Sequence, residues 1–87
     1  MRIAIVLGTR PEVMKNWSIV RALRNRGIYV RVLHTNQHYD REMNSSLFEQ
    51  LNYRPDQVFP GAYKLGAAID WVRDYIVSDS IDLLIVN

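Results

Sequence analysis

The residues best suited to chemistry lie close together near the amino terminus: Arg10 and Lys15, following Gly8-Thr9 and flanking Pro11-Glu12. A cation at the start of a helix faces the positive end of the helix dipole, which costs roughly a few tenths of a kcal/mol or more. A bound anion reverses that cost, because a guanidinium and the free amides of the first turn can grip one phosphate together. The competing reading of Arg10 is a side chain pointing into solvent from an ordinary turn. Lys15 lies just over one turn further on, and helical side chains lean toward the amino terminus, so its ammonium can reach the same place. The competing reading is a surface pair with Glu12 at i, i+3, worth roughly 0.2–0.5 kcal/mol. Glu12 itself suits a first turn on dipole grounds.

A second group is Gln37 and His38, a hydrogen-bonding pair that could face a ligand or be satisfied by backbone in a loop. His34 and His38 do not make a metal pair, since i, i+4 spacing places two ligands together only on a helix. Asp70 and Asp74 are one helical turn apart, and a solvated helix face explains them better than an acid–base couple. The first turn has a single glycine and no following Gly-Lys-Ser/Thr, so neither the dinucleotide fingerprint nor the phosphate loop of nucleotide hydrolases is present.

The elements that must hold these residues follow from hydrophobic periodicity. Ile3 to Leu7 is an unbroken apolar run with β-branched Ile3, Ile5 and Val6, which suits a strand covered on both faces. Gly8 allows a sharp turn and Pro11 suits the first helical position, so a helix is expected from Pro11 to about Arg26. Its apolar stripe is Val13, Trp17, Val20 and Leu23, and Gly27 is its stop. Ile28 to Leu33 reads as a second strand and His34 to Asp40 as a polar loop. A helix is expected from Asp40 or Arg41 to about Leu51, and a very short strand at Gln57-Val58-Phe59. A further helix follows from about Ala62 to Val77, with Leu65, Ile69, Val72 and Ile76 inward, and a last strand over Ile81–Val86. Trp17 and Trp71 are expected in the core or at an interface. The alternation indicates an α/β fold with a parallel, doubly wound sheet. Right-handed crossovers put the carboxyl ends of all strands on one edge, gathering Gly8-Thr9-Arg10, Thr35-Asn36-Gln37-His38, Pro60-Gly61 and Asn87 on one rim.

Bulk properties narrow the function. The chain has 87 residues, 48% hydrophobic, a formal charge of +2 and no cysteine. Scattered basic residues give little electrostatic case for nucleic acid, and no stretch is long enough to span a membrane. Without cysteines there are no disulfides or thiolate metal sites, in agreement with a cytoplasmic protein. A domain of this size buries only roughly 60–65% of its unfolded surface. A small parallel sheet also leaves an open apolar edge. The chain is therefore expected to be part of a larger protein or to need partner chains, with homo-oligomers expected.

Gly8-Thr9-Arg10-Pro11-Glu12-Val13-Met14-Lys15 resembles the opening signature of the non-hydrolysing UDP-N-acetylglucosamine 2-epimerases, Gly-Thr-Arg-Pro-Glu followed by Lys. Thr35-Asn36-Gln37-His38, with Met43 downstream, resembles the family's Thr-Gly-Gln-His segment, and Asp82 to Asn87 is similar to the strand leading into its Gly-Asp-Thr turn. The resemblance implies a three-layer Rossmann-like sheet, residues 1–87 being the first half of the N-terminal domain of a GT-B-like two-domain enzyme. The first strand would lie between the second and the last. It implies interconversion of UDP-GlcNAc and UDP-ManNAc by elimination and re-addition of UDP, with no metal or nicotinamide cofactor. By matched position, Thr9 and Arg10 would be substrate-binding, Arg10 against the phosphates. Lys15 would be a catalytic-cleft lysine, and Gln37 and His38 would line the same cleft.

The sequence departs from that pattern in two places. Asn36 stands where relatives have Gly, and Gly61-Ala62-Tyr63-Lys64-Leu65-Gly66-Ala67 replaces a Gly-Ser segment ending in Gln-Thr. The family's acidic catalytic residues and its histidine would lie beyond Asn87, so the isolated chain is expected to be inactive. The alternative is a stand-alone nucleotide-sugar-binding or regulatory module with a degenerate epimerase-like fold.

Overall fold

In the computed structural model the described residues are 1–35, 52–60 and 64–86, with the backbone alone described for Arg10. The helix expected from Asp40 or Arg41 to Leu51 lies outside them, as do Gln37, His38, Gly61 and Asn87.

The described elements are β1 (Arg2–Leu7), α1 (Arg10–Asn25), β2 (Tyr29–His34), β3 (Gln57–Val58), α2 (Leu65–Ser78) and β4 (Leu83–Val86). All strand pairs are parallel and the sheet order is β3-β2-β1-β4, so β1 lies between β2 and β4 as the family resemblance implied. The register places Ile5 beside Val32 on one side and Ile85 on the other. The α/β class and parallel sheet expected from the pattern are thus borne out. So is the short strand at Gln57-Val58, which Phe59 extends by donating its amide to the His34 carbonyl at 2.8 Å.

Alternation along the strands sends Ile3, Ile5 and Leu7 to one face, where they form a core with Val30, Val32, Tyr53 and the α1 stripe Val13, Trp17 and Val20. Trp17 meets Tyr53 edge-on at 5.1 Å between ring centroids. Gly27, at φ +79°, ends α1 in a conformation that a side chain would strain. Ala4 and Leu33 are fully buried on the other face, the side on which α2 lies, so helices cover both faces in three layers. Phe59 is buried against Trp71 of α2, 5.5 Å between centroids. Both tryptophans therefore pack as expected.

The α2 stripe needs correction. Of Leu65, Ile69, Val72 and Ile76, the first two are 65% and 58% exposed, and the buried residue of the helix is Ala68. The helix stands off from the sheet and leaves an apolar cleft of about 550 Å³ bounded by Val6, Leu84, Val86 and the inner face of α2. Helical periodicity reports which side is apolar, not whether that side is covered. Two boundaries also move. Lys64, extended, caps α2, which begins at Leu65 rather than Ala62. The last strand begins at Leu83, because Ser80 at φ 53° keeps the chain turning past Ile81.

The amino-terminal edge of the sheet is closed by polar side chains. Arg2 pairs with Asp79 at 2.8 Å and lies over the Tyr29 ring at 3.9 Å, while Tyr29 and Tyr75 donate hydroxyls to the same carboxylate at 2.6 and 3.1 Å. These bonds, that from Tyr29 foremost, hold the Asp79 carboxyl below the usual range. Burial, reinforced by the bond to Asp79, pushes the Tyr75 phenol up to about 12. Asp56 joins β2 to α1, accepting from the Val32 amide at 2.6 Å, Arg24 at 2.8 Å and Arg31 at 3.1 Å. Asp70 and Asp74 are exposed beside Arg73, each 3.5 Å away, as a solvated helix face requires. Among the described residues no helix is long and apolar enough to cross a membrane.

This distribution predicts unequal costs of truncation. Trp17→Ala should destabilise the fold by about 3–5 kcal/mol, as loss of a buried aromatic does. Ile69→Ala should change stability by no more than about 0.5 kcal/mol. Urea unfolding of the two variants checks this; comparable losses would mean that α2 is as tightly packed as α1.

Candidate functional site at the carboxyl edge of the sheet

The rim expected to carry function is formed where β1 and β2 end. Thr9 is extended, at φ −123° and ψ 161°, and its carbonyl accepts the first helical bond from the Val13 amide at 3.1 Å. Thr9 is therefore the helix cap, Arg10 the first helical residue and Pro11 the second, one residue earlier than the expected start at Pro11. Threonine is a favoured cap and arginine is not, which explains the shift. Arg10 stays in the first turn of α1, where the dipole argument applies to it.

Glu12 is the residue whose role sequence reasoning missed. A single carboxylate oxygen, Oε1, accepts from the Gly8 amide at 3.3 Å, the Thr9 amide at 2.9 Å and the Thr9 hydroxyl at 2.7 Å. This is the arm of a capping box that reaches back to the start of the helix. The spacing Thr9-x-x-Glu12 was the available signal. Asn16 steadies the same turn by donating Nδ2 to the Glu12 carbonyl at 2.8 Å. Lys15 is exposed, and among the described residues it makes no ion pair, so the competing pairing with Glu12 is not formed.

At the end of β2, His34 belongs to the strand rather than to the loop expected there, and is 4% exposed. Its Nδ1 lies 3.0 Å from the Tyr53 hydroxyl. Burial pushes the imidazole pKa below its ordinary 6.5, opposed by the nearby Glu12 carboxylate. Burial also raises the Tyr53 phenol. Thr35 continues the rim with its amide on the Leu7 carbonyl at 2.8 Å, while its buried Oγ1 has no hydrogen-bond partner among the described residues. Gly8, Glu12 and Thr35 together make the polar end of the apolar cleft beside α2. The structure thus brings Thr9, Arg10 and Lys15 onto one strand–turn–helix unit beside Thr35; Gln37 and His38 lie outside the described residues. Among the described residues no group of three metal-ligating side chains occurs.

These features define a Rossmann-like α/β unit with its helix terminus at the carboxyl edge of a parallel sheet, the place where such folds bind ligands. Comparison with known proteins then gives a specific kinship. The chain is 48% identical over 52 residues to a UDP-N-acetylglucosamine 2-epimerase of Methanocaldococcus jannaschii. It is 43% identical over 56 residues to a protein of the same name from Methanococcus maripaludis. The resemblance drawn from the motifs is thereby borne out. The matched stretches take in 60% and 63% of this chain but only 14% and 15% of the relatives. No protein-family model matches the chain. No solved structure matches it either.

The His34 environment sets a pH dependence. The folded state binds this proton less readily than the unfolded chain. Its contribution is therefore fully present above about pH 6.5 and is lost as pH falls through and below that value. Stability measured by urea unfolding at a series of pH values should decline on that side. His34→Gln, which keeps a partner for Tyr53 but cannot titrate, should flatten the decline. An unchanged slope in the variant would assign the effect to other groups.

Proposed function

We propose that this chain is the opening half of the N-terminal domain of a GT-B-like enzyme that interconverts UDP-GlcNAc and UDP-ManNAc by eliminating and re-adding UDP. The identity to two epimerases of that name carries the reading. The strand–turn–helix rim supports it on physical grounds. The turn at Gly8-Thr9 presents two amides and a hydroxyl to one point, the donor set that a phosphate oxygen takes at a helix terminus. Arg10 adds a cation in the first turn, which lowers the cost of gathering the negative charge of a diphosphate. In this reading Thr9 and Arg10 bind the nucleotide, Gln37 and His38 line the same cleft, and Lys15 is the lysine of the reaction. An ammonium there would stabilise charge developing on the departing diphosphate. The acidic groups needed for proton transfer would come from other parts of the full enzyme, so the chain alone is proposed to be inactive.

The apolar cleft supports the view that this is part of a larger fold. Leu65, Ile69 and Val86 are 65%, 58% and 66% exposed along one concave surface. An apolar surface shaped in this way suits contact with a further part of a larger fold.

Titration of the chain with UDP, followed by amide NMR, tests the site. Shifts are expected at Gly8, Thr9 and Thr35. Arg10→Ala should weaken binding about tenfold, as loss of one charge-assisted phosphate contact does. Shifts confined to Arg2, Tyr29 and Asp79 at the opposite edge would reject the reading.

A further inference from the structure

The donors that would hold a phosphate at the β1–α1 turn are already occupied. Glu12 Oε1 takes the Gly8 amide, the Thr9 amide and the Thr9 hydroxyl, at 3.3, 2.9 and 2.7 Å. A phosphate cannot reach these donors while the carboxylate stays, and its charge is opposed by the carboxylate beside it. A second observation points to a missing acceptor at the same place. Thr35 is 7% exposed, lines the cleft with Gly8 and Glu12, and keeps a buried hydroxyl with no partner among the described residues. A buried hydroxyl without a partner is costly and uncommon in a native fold. Its backbone is anchored to the end of β1 by the bond from its amide to the Leu7 carbonyl at 2.8 Å, which keeps the residue beside the turn.

From these contacts we infer that Glu12 is an internal stand-in for the phosphate, which a phosphate group must displace from the turn to bind, and that Thr35 is an additional donor to the incoming group. Glu12 thereby keeps the turn ordered and sets its affinity for phosphate. A phosphate dianion brings more charge and more acceptor oxygens than the carboxylate, so it can replace Glu12 on the amides and engage Thr35 as well. A monocarboxylate offers the turn nothing that Glu12 does not already supply. This inference rests on the turn being a phosphate site, yet the two fail separately, because UDP binding by the native chain tests the one and the behaviour of Glu12 variants tests the other.

The experiment is titration of the native chain and of Glu12→Gln with inorganic phosphate, read from the Gly8 and Thr9 amide resonances. Glutamine retains the capping-box geometry, so the helix start is kept while the competing charge is removed. Glu12→Gln should bind phosphate about tenfold more tightly than the native chain, the like-charge repulsion being lost. Asp70→Asn, which removes an exposed carboxylate from α2, should leave the affinity unchanged. Adding Thr35→Val to Glu12→Gln should take back most of the gain. Equal or weaker phosphate binding by Glu12→Gln overturns the inference. So does an equal gain in Asp70→Asn, which would reduce the effect to net charge, or a gain untouched by Thr35→Val.

Discussion

One carboxylate oxygen decides the geometry of the carboxyl edge. Glu12 Oε1 collects the two amides and the hydroxyl at which β1 gives way to α1, so the chain leaves the sheet at Leu7 and enters a helix within two residues. That oxygen is held in turn by the helix it caps, whose next turn is anchored in the core through Val13 and Trp17. Strand, turn and helix are therefore coupled. Burial of the α1 stripe fixes the helix, the helix presents Glu12, and Glu12 fixes the turn. Any ligand that draws on these amides must negotiate with a group built into the fold.

The two edges of the sheet contrast in a way that bears on function. At the amino edge, Arg2, Tyr29, Tyr75 and Asp79 satisfy one another, and Asp56 gathers Arg24, Arg31 and a backbone amide. Such mutual satisfaction leaves little incentive for a ligand, and serves to tie β1 and β2 to the two helices. Among the described residues at the carboxyl edge the polar groups are fewer and less complete. Burial pushes a histidine below its ordinary pKa, a threonine hydroxyl has no acceptor among the described residues, and a carboxylate stands on amides that a phosphate would also use. Under the proposed function this is the edge that a ligand would complete.

Much of the fold could be read from residue order because its determinants are local. The β-branched run of β1, the stripe of α1 and Gly27 as a stop each follow from short-range chemistry and each appears in place, as does the order of strands and helices among the described residues. What could not be read depends on distance or on coverage. The α2 stripe is apolar, but whether Leu65 and Ile69 are covered depends on what packs over them, which periodicity does not encode. His34 looked like the first residue of a polar loop because histidine is polar; Tyr53, nineteen positions away, supplies the partner that lets it stay buried in the strand. At the site, the motif Gly8-Thr9-Arg10-Pro11-Glu12 drew attention to the arginine, while the backbone assigns the cap to Thr9 and the counter-charge to Glu12. The capping spacing was visible in the sequence, but it pointed to a helix start rather than to a rival for the ligand.

The most direct measurement is a crystal structure of the chain with UDP. The account predicts a diphosphate oxygen within hydrogen-bonding distance of the Gly8 and Thr9 amides, with the Glu12 carboxylate turned away from them. Glu12 still seated on those amides, with UDP bound elsewhere on the molecule, would contradict it.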